Sequence, residues 1–199
     1  MNRGLSVALV ASLAVAGSAF GLNIGDKAPS TSVKMKNVDG KDVSIADVAG
    51  AQGTLVVFSC NHCPFVKAWQ GRIASVGNAA KTKGIGVIVI NSNDPTQYPE
   101  DSYAEMQKRA QDLGFTFPYV VDATSDVARA FGASHTPEAF LFDKDGKLVY
   151  HGAIDDSKEA NQVTAHYLQD AVDAALAGKA VPVAETKAIG CGIKFHGKA

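Results

Sequence analysis

Two cysteines, Cys60 and Cys63, are separated by two residues and are followed directly by Pro64. Residues 55–58 before them are apolar and predict a buried strand, and the apolar residues after them recur at helical spacing. A thiol at the start of a helix faces free backbone N–H groups and the positive end of the helix dipole, which favour a thiolate. The spacing also places the two sulfurs within disulfide reach. The pattern therefore predicts a redox-active dithiol.

Pro64 indicates which cysteine begins the helix. If Cys60 began it, the proline would lie inside the helix, remove a hydrogen bond and clash with the preceding turn, which costs about 3 kcal/mol. If Cys63 begins it, the proline occupies a first-turn position where its missing N–H costs nothing. We therefore predict that Cys63 is the nucleophile and Cys60 its resolving partner. His62 adjoins both: a protonated His62 would lower a thiol pKa, and a solvent-facing loop histidine is the alternative.

The dithiol lies within an alternating series of strands and helices. Strands are predicted at residues 33–36, 42–45, 55–58, 85–90, 119–121, 139–142 and 148–150, and helices at residues 63–84, 99–114, 126–131 and 163–177. Ser125 is the predicted N-cap of the third helix. The order of hairpin, three strand–helix units, hairpin and helix predicts a mixed α/β sheet with helices on both faces.

The N-terminus carries a different pattern. Arg3 precedes the apolar residues 5–16 and the small residues 17–19, which predicts a secretory signal at residues 1–21, with an uncleaved anchor helix as the alternative. After the N-terminus, no apolar run reaches the roughly 18 residues of a membrane span. We therefore expect an exported protein, periplasmic or secreted, without membrane contact after cleavage.

The remaining chain is predicted to form one domain, residues 22–180, and a tail, residues 181–199, which carries Cys191 and shows no clear period. The net charge is −1 and the basic residues are scattered, so nucleic acid is not an expected partner. Disulfides persist outside the cytosol. The odd count of three cysteines leaves one thiol free or pairs it with another molecule.

Four segments of the chain carry a family resemblance, and they are residues 57–67, 98–103, 115–119 and 136–143. On them the chain resembles the thioredoxin superfamily, and most closely its peroxiredoxin-like branch, the alkyl hydroperoxide reductase/thiol-specific antioxidant type. The resemblance implies a thioredoxin-like mixed sheet with flanking helices, to which the first hairpin is an N-terminal extension. It also implies that Pro137 is a cis-proline facing the active thiol, and that Thr136 and Pro137 shape the groove beside the sulfur. His135, just before them, is a candidate to tune the thiols or a surface loop histidine.

The chain departs from both patterns of that superfamily. Peroxiredoxins carry Pro-x-x-x-Thr/Ser-x-x-Cys around the peroxide-reactive cysteine. When this pattern is set on Cys63, the threonine position is Cys60 and the proline position is Val56. Thioredoxins carry Cys-x-x-Cys from the helix start, and the second cysteine position would then be Val66. These departures favour disulfide exchange over peroxide reduction.

The leading interpretation is an exported thiol–disulfide oxidoreductase with an antioxidant or disulfide-exchange role. Its partners would be protein or small-molecule thiols, disulfides or peroxides, and it would need no cofactor and no metal. One alternative is a thiol peroxidase in which Cys191 or Cys60 resolves Cys63, whereas a thiol free in a loose tail is the other interpretation of Cys191. A second alternative is a thioredoxin-fold copper chaperone, because Cys60 and Cys63 with His135 or His62 would suit copper. The oligomeric state does not follow from the sequence.

Overall fold

A seven-stranded mixed sheet positions the two thiols at the end of its central strand. The fold comes from a computed structural model, and the structure describes residues 21–197. Residues 1–20 of the predicted secretory signal lie outside the described residues. Within residues 21–197, no helix combines the length and apolar character that a membrane crossing requires.

The strands are β1 (Met35–Asn37), β2 (Asp42–Val43), β3 (Thr54–Phe58), β4 (Gly86–Asn91), β5 (Tyr119–Val121), β6 (His135–Thr136), β7 (Glu138–Phe142), β8 (Leu148–Gly152) and β9 (Cys191–Gly192). The α-helices are α1 (Pro64–Thr82), α2 (Tyr103–Asp112), α3 (Asp126–Phe131) and α4 (Tyr167–Leu176). The large sheet has the order β2-β1-β5-β4-β3-β7-β8, and β6 and β9 form a separate two-stranded sheet. The predicted mixed α/β sheet with flanking helices is confirmed.

β3 is buried along its whole length because helices cover both of its faces. It pairs in parallel with β4 and antiparallel with β7. Successive side chains point to opposite faces, so Leu55 and Val57 pack with residues of α1, α2 and α4, whereas Val56 and Phe58 pack with α3. Packing on both faces of the sheet therefore fixes β3 at the point where the chain leaves it for the cysteines.

Three local predictions need correction. Pro99 begins a separate 3₁₀ helix, Pro99–Asp101, and α2 starts at Tyr103 because Ser102 between them is extended. The last helix begins at Tyr167 rather than at residue 163, since Asp156 accepts hydrogen bonds from the backbone and hydroxyl of Thr164 and holds that segment as a loop.

The predicted side-chain cap at Ser125 is also wrong. Ser125 does occupy the N-cap position of α3, but its φ is +58° and its hydroxyl donates to the carbonyl of Ser92 at 2.8 Å. The carboxylate of Asp122 instead accepts the backbone N–H of Ala128 at 3.0 Å. Asp122, which lies upstream of the helix, therefore provides the N-terminal hydrogen bond that was predicted for Ser125.

The C-terminal tail is docked onto the domain. We call residues 184–196 the C-terminal strap. Its first part pairs with β8, where the N–H of His151 donates to the carbonyl of Ala184 and the N–H of Thr186 donates to the carbonyl of His151, both at 3.0 Å. Its middle part is β9, antiparallel to β6, and its last part is hydrogen-bonded to residues 93–94. The strap therefore crosses the domain beside the carboxyl ends of the parallel strands.

Candidate functional site

Cys63 is the N-cap of α1 and Pro64 is its first residue. The prediction that Cys63 rather than Cys60 begins the helix is therefore confirmed. Cys60 lies in the short connection between β3 and α1. Both thiols are buried, with 1% of Cys60 and none of Cys63 exposed. The site is thus a pair of buried sulfurs at the start of a helix.

Thr136 contacts both sulfurs. Its hydroxyl oxygen lies 3.2 Å from Sγ of Cys60, and its carbonyl oxygen lies 3.3 Å from Sγ of Cys63. The Thr136–Pro137 peptide bond is cis, as the resemblance implies. The segment 135–137 therefore forms one wall of the thiol site, next to β7.

The pKa values of the two thiols move in opposite directions. The pKa of Cys63 falls from 9.0 to about 4, chiefly because the Cys60 thiol donates to its sulfur, with a further contribution from the Cys191 thiol. The backbone N–H of Val66 also lowers the pKa of Cys63, although the Cys63 side chain makes no hydrogen bond that caps α1. The pKa of Cys60 is raised, first by its hydrogen bond to Cys63 and then by burial and by the charge of Asp101. These opposite directions favour the thiolate at Cys63 and the protonated thiol at Cys60.

A buried carboxylate holds the loop between the cysteines. Oδ1 of Asp101 accepts the backbone N–H of Asn61 at 2.6 Å and that of His62 at 3.1 Å, while Oδ2 lies 2.5 Å from Nδ1 of His62. The amide of Asn93 donates to the same Oδ2 at 2.8 Å. With these partners the burial of a charged group is compensated. Asp101 therefore fixes the conformation that presents both sulfurs.

His62 is not a solvent-facing loop histidine. Only 10% of its side chain is exposed, and its ring stacks on Tyr98 with the centroids 3.9 Å apart. Its polar partner is Asp101, so it belongs to the support of the site. His135 is half-buried, and the hydrogen-bond partner of its ring is the hydroxyl of Ser134 at 2.8 Å. His135 is therefore turned toward its own loop.

The carbonyl and amide groups of Asn61 receive further support. The hydroxyl of Tyr119 donates to Oδ1 of Asn61 at 3.0 Å, and the guanidinium of Arg109 donates to the backbone carbonyl of Asn61 at 3.2 Å. Burial raises the pKa of Tyr119 well above its ordinary value, so it stays a donor. β5 and α2 thereby hold the loop between the two cysteines from the side opposite Thr136.

A second buried carboxylate positions the Thr136 segment. Oε2 of Glu138 accepts the backbone N–H groups of Ser134 and His135 at 2.8 and 2.9 Å, and Oε1 lies 2.7 Å from Nε2 of His151. Burial raises the pKa of Glu138, but its hydrogen bonds with His151 and the two N–H groups outweigh burial and leave the pKa below its ordinary value. Glu138 therefore fixes the wall of the site from β7.

Cys191 completes a group of three neighbouring thiols. It pairs with Thr136 in the β6–β9 sheet and packs against the cluster that Cys60 and Cys63 form with Val66. Burial and, after it, the adjacent Cys63 sulfur raise the pKa of Cys191 to about 11. Cys191 is partly exposed, unlike the other two. The loose-tail interpretation of this cysteine is therefore wrong.

The copper-chaperone alternative predicts a metal site formed by both thiols and one histidine. One sulfur, a ring nitrogen and a carboxylate oxygen, those of Cys60, His62 and Asp101, lie within 4.8 Å of one another. All three groups already have hydrogen-bond partners, and Asp101 accepts from the loop backbone as well. This donor set therefore serves the loop conformation, and His135 does not join it.

Sequence reasoning misses the groups that support the thiols. Asp101, Arg109, Tyr119 and Glu138 are single polar residues in elements whose role is set by long-range packing. The available indication for Asp101, Tyr119 and Glu138 is that they lie in residues 98–103, 115–119 and 136–143, three of the segments that carry the family resemblance. Cys191 is singled out by the cysteine count, but its place beside Cys63 depends on the strap.

The comparisons with known proteins agree with this geometry. A solved structure of an uncharacterized conserved protein from Geobacillus kaustophilus is 43% identical, with a TM-score of 0.82 over 89% of this chain and 94% of that one. A thioredoxin-family thiol:disulfide interchange protein from Chlorobium tepidum is 22% identical, with a TM-score of 0.59 over 78% of this chain and 99% of that one, which shows the shared fold.

Among curated relatives, the thiol-disulfide oxidoreductase ResA of Geobacillus thermodenitrificans is 24% identical over 125 residues. The match covers 63% of this chain and 66% of that relative, slightly less than two thirds of its length. The model of the AhpC/TSA family matches residues 24–151, which include both buried cysteines and Pro137. The chain therefore belongs to the AhpC/TSA family, with the thioredoxin-like fold that the sequence predicts.

Proposed function

We propose that this protein is an exported thiol–disulfide oxidoreductase whose redox couple is Cys60 and Cys63. The observation that carries the proposal is the opposite displacement of the pKa values of two adjacent buried thiols, one of them at a helix start. A thiolate beside a protonated thiol is the arrangement that one nucleophile and one resolving group require. The activity of the ResA relative supports the same reaction class, and the pattern of residues 1–21 supports export.

The reduced site would act in two steps. The Cys63 thiolate attacks one sulfur of a substrate disulfide, the S–S bond breaks and the departing thiolate takes a proton from solvent. Cys63 is then a neutral mixed disulfide, so it no longer holds the Cys60 proton. Cys60 loses that proton and attacks Sγ of Cys63, which forms the Cys60–Cys63 disulfide and releases the second substrate thiol. The substrate disulfide is reduced by two electrons and the dithiol is oxidised by two.

The surrounding groups set the order of these steps. The hydrogen bond with Cys63 is the first cause of the raised pKa of Cys60, ahead of burial and the charge of Asp101, and it keeps the resolving thiol protonated until Cys63 has reacted. The ring of His62, held on Asp101, lies within 4.8 Å of the Cys60 sulfur and is the nearby base for its proton. Thr136 places its hydroxyl on Cys60 and keeps both sulfurs against one wall.

Disulfide exchange is favoured over peroxide reduction. The position of the peroxiredoxin threonine holds Cys60, so the hydroxyl that approaches this sulfur pair is that of Thr136 and contacts Cys60 rather than Cys63. Cys63 has no exposed surface. A peroxidase would still convert Cys63 to a sulfenic acid that Cys60 resolves. Rapid mixing with hydrogen peroxide separates the two reactions, because a dedicated peroxidase reacts much faster than free cysteine.

The experiment that tests the proposal is equilibration of the folded protein with mixtures of reduced and oxidised glutathione. Acid quenching and peptide mass mapping then locate the disulfide. We expect a reversible Cys60–Cys63 disulfide in wild type and its absence in Cys63→Ala, with Gly71→Ala on the same helix as a control. Cys60 and Cys63 that both stay reduced under strongly oxidising mixtures would contradict the proposal.

A further inference from the structure

Among the three neighbouring cysteines, the one that reaches solvent is not part of the redox couple. Cys60 and Cys63 are buried, whereas Cys191 on the C-terminal strap is partly exposed. The strap lies over the site because β9 pairs with β6 through Thr136, the residue that contacts both buried sulfurs. An external thiol or disulfide therefore meets Cys191 before it meets Cys63.

The docked position of the strap that carries Cys191 depends on close contacts at two glycines, one in the strap and one in β8. A Cβ added at Gly190 would lie 2.2 Å from the carbonyl oxygen of Thr136, so only glycine allows the strap to approach this closely. A Cβ added at Gly152 on β8 would lie 2.1 Å from the hydroxyl oxygen of Thr186. Beyond Cys191, Ile193 is buried and its N–H donates to the carbonyl of Ser134 at 2.9 Å. The strap is therefore docked along its length, with Cys191 packed against the cluster that contains Cys60 and Cys63.

We propose that Cys191 is the entry thiol of a three-cysteine relay, through which external thiols and disulfides exchange with the buried Cys60–Cys63 couple. This inference rests on the Cys60–Cys63 couple of the proposed function and replaces the direct attack of Cys63 on the substrate with exchange through Cys191. Because the strap already occupies the backbone edge of β6, a substrate does not add a strand there. The substrate class is therefore one that presents a single accessible sulfur, such as a low-molecular-weight thiol.

Oxidation of an external thiol through the relay takes three thiol–disulfide exchanges. The Cys191 thiolate attacks Sγ of Cys63 in the Cys60–Cys63 disulfide, and Cys60 leaves and takes a proton. A substrate thiolate then attacks the exposed Sγ of Cys191, and Cys63 leaves as a thiolate. A second substrate thiolate attacks the bound substrate sulfur, which releases the substrate disulfide and restores Cys191. Two substrate thiols lose two electrons, and Cys60 and Cys63 gain them.

The acid–base properties of the thiols suit this sequence. In the second step Cys63 is the leaving group, and its lowered pKa favours this because a thiol of low pKa leaves more readily. Part of the elevation of the Cys191 pKa comes from the Cys63 sulfur, and that contribution disappears while Cys63 is in a disulfide. Cys191 is therefore easiest to ionise in the oxidised enzyme, when it must attack. Reduction of an external disulfide passes through the same two intermediates in reverse.

The identity of the trapped intermediate tests the relay. Reduced Cys60→Ser protein is mixed with oxidised glutathione, quenched with acid and mapped by peptide mass. We expect an internal Cys63–Cys191 disulfide with no glutathione retained. In the Cys60→Ser/Cys191→Ser variant we expect oxidation to be slowed by about tenfold or more. Glutathione found on Cys63 in Cys60→Ser, at a rate unchanged by the second substitution, would overturn the relay.

Two glycines on either side of Cys191 provide a matched pair that leaves all three thiols in place. Gly190→Ala should displace the strap. This variant keeps all three cysteines, and we expect it to react with oxidised glutathione more slowly than wild type. Gly192→Ala should react at the wild-type rate, because its added Cβ meets no atom closer than 3.9 Å. Equal rates in the two variants would overturn the relay. Failure of the proposed function itself looks different: wild type would form no Cys60–Cys63 disulfide at any glutathione ratio.

Discussion

The carboxylate of Asp101 lies 2.5 Å from Nδ1 of His62, 39 positions away in the sequence. The same side chain accepts the backbone N–H groups of Asn61 and His62, the two residues between the cysteines. A helix that follows β4 thereby fixes the loop that follows β3. The conformation of the loop that carries the two thiols therefore depends on a residue distant in the sequence.

Asp101→Asn should weaken the fold and alter the resolving thiol. The amide cannot accept at both oxygens, so buried charge-assisted hydrogen bonds are lost at a cost of about 1.5–3 kcal/mol. Removing the charge should also lower the pKa of Cys60. Urea denaturation measures the first effect. Glu100→Gln is the control, because Glu100 is an exposed neighbour paired with Lys67 at the surface. Equal denaturation midpoints for the two variants would show that Asp101 does not clamp the loop.

Glu138→Gln should destabilise the protein in a pH-dependent way. The folded-state pKa of Glu138 lies below its ordinary value of 4.5. Its stabilising contribution is therefore complete above that value and is lost as the pH falls through the folded-state pKa. We expect a loss of about 1–3 kcal/mol near pH 7 that shrinks toward pH 3. The control is Glu185→Gln, since Glu185 is exposed and lies 3.9 Å from the other ring nitrogen of His151. A destabilisation that stays constant between the two pH values would count against this role.

Two glycines of α1 should respond to alanine with opposite signs. Gly71 is exposed with open space around its Cβ position, so Gly71→Ala should stabilise the protein by about 0.5–1 kcal/mol. A Cβ at buried Gly77 would lie 2.5 Å from the ring of Phe117, and overpacking of this kind costs about 1–3 kcal/mol. Thermal unfolding of both variants measures the difference. Stabilisation by both would mean that α1 and Phe117 are not packed as described.

The sequence predicts the parts of the fold that follow from local pattern. Pro64 alone identifies Cys63 as the helix start, and the apolar runs locate β3 and β4. It cannot predict the strap, because backbone pairing between Thr136 and Cys191 leaves no periodic signature over two residues. Nor can it pair Asp101 with the cysteine loop, since a buried carboxylate is specified by its partners in space. The helix-start position of Cys63 therefore follows from the sequence, whereas the groups that support the thiols and the place of Cys191 beside them do not.

The proposed redox chemistry requires that Cys63, rather than Cys60, is the thiolate. The direct measurement is the ultraviolet absorbance of the thiolate as a function of pH, taken as the difference between reduced wild type and reduced Cys63→Ala. Far-ultraviolet circular dichroism confirms that the protein stays folded across the range. We expect the Cys63 signal to persist down to a midpoint of about 4. Cys60→Ala should raise this midpoint, because it removes the main hydrogen-bond donor to the sulfur. A Cys63 midpoint near the ordinary value of 9.0, with the low-pH thiolate lost in Cys60→Ala instead, would contradict the account.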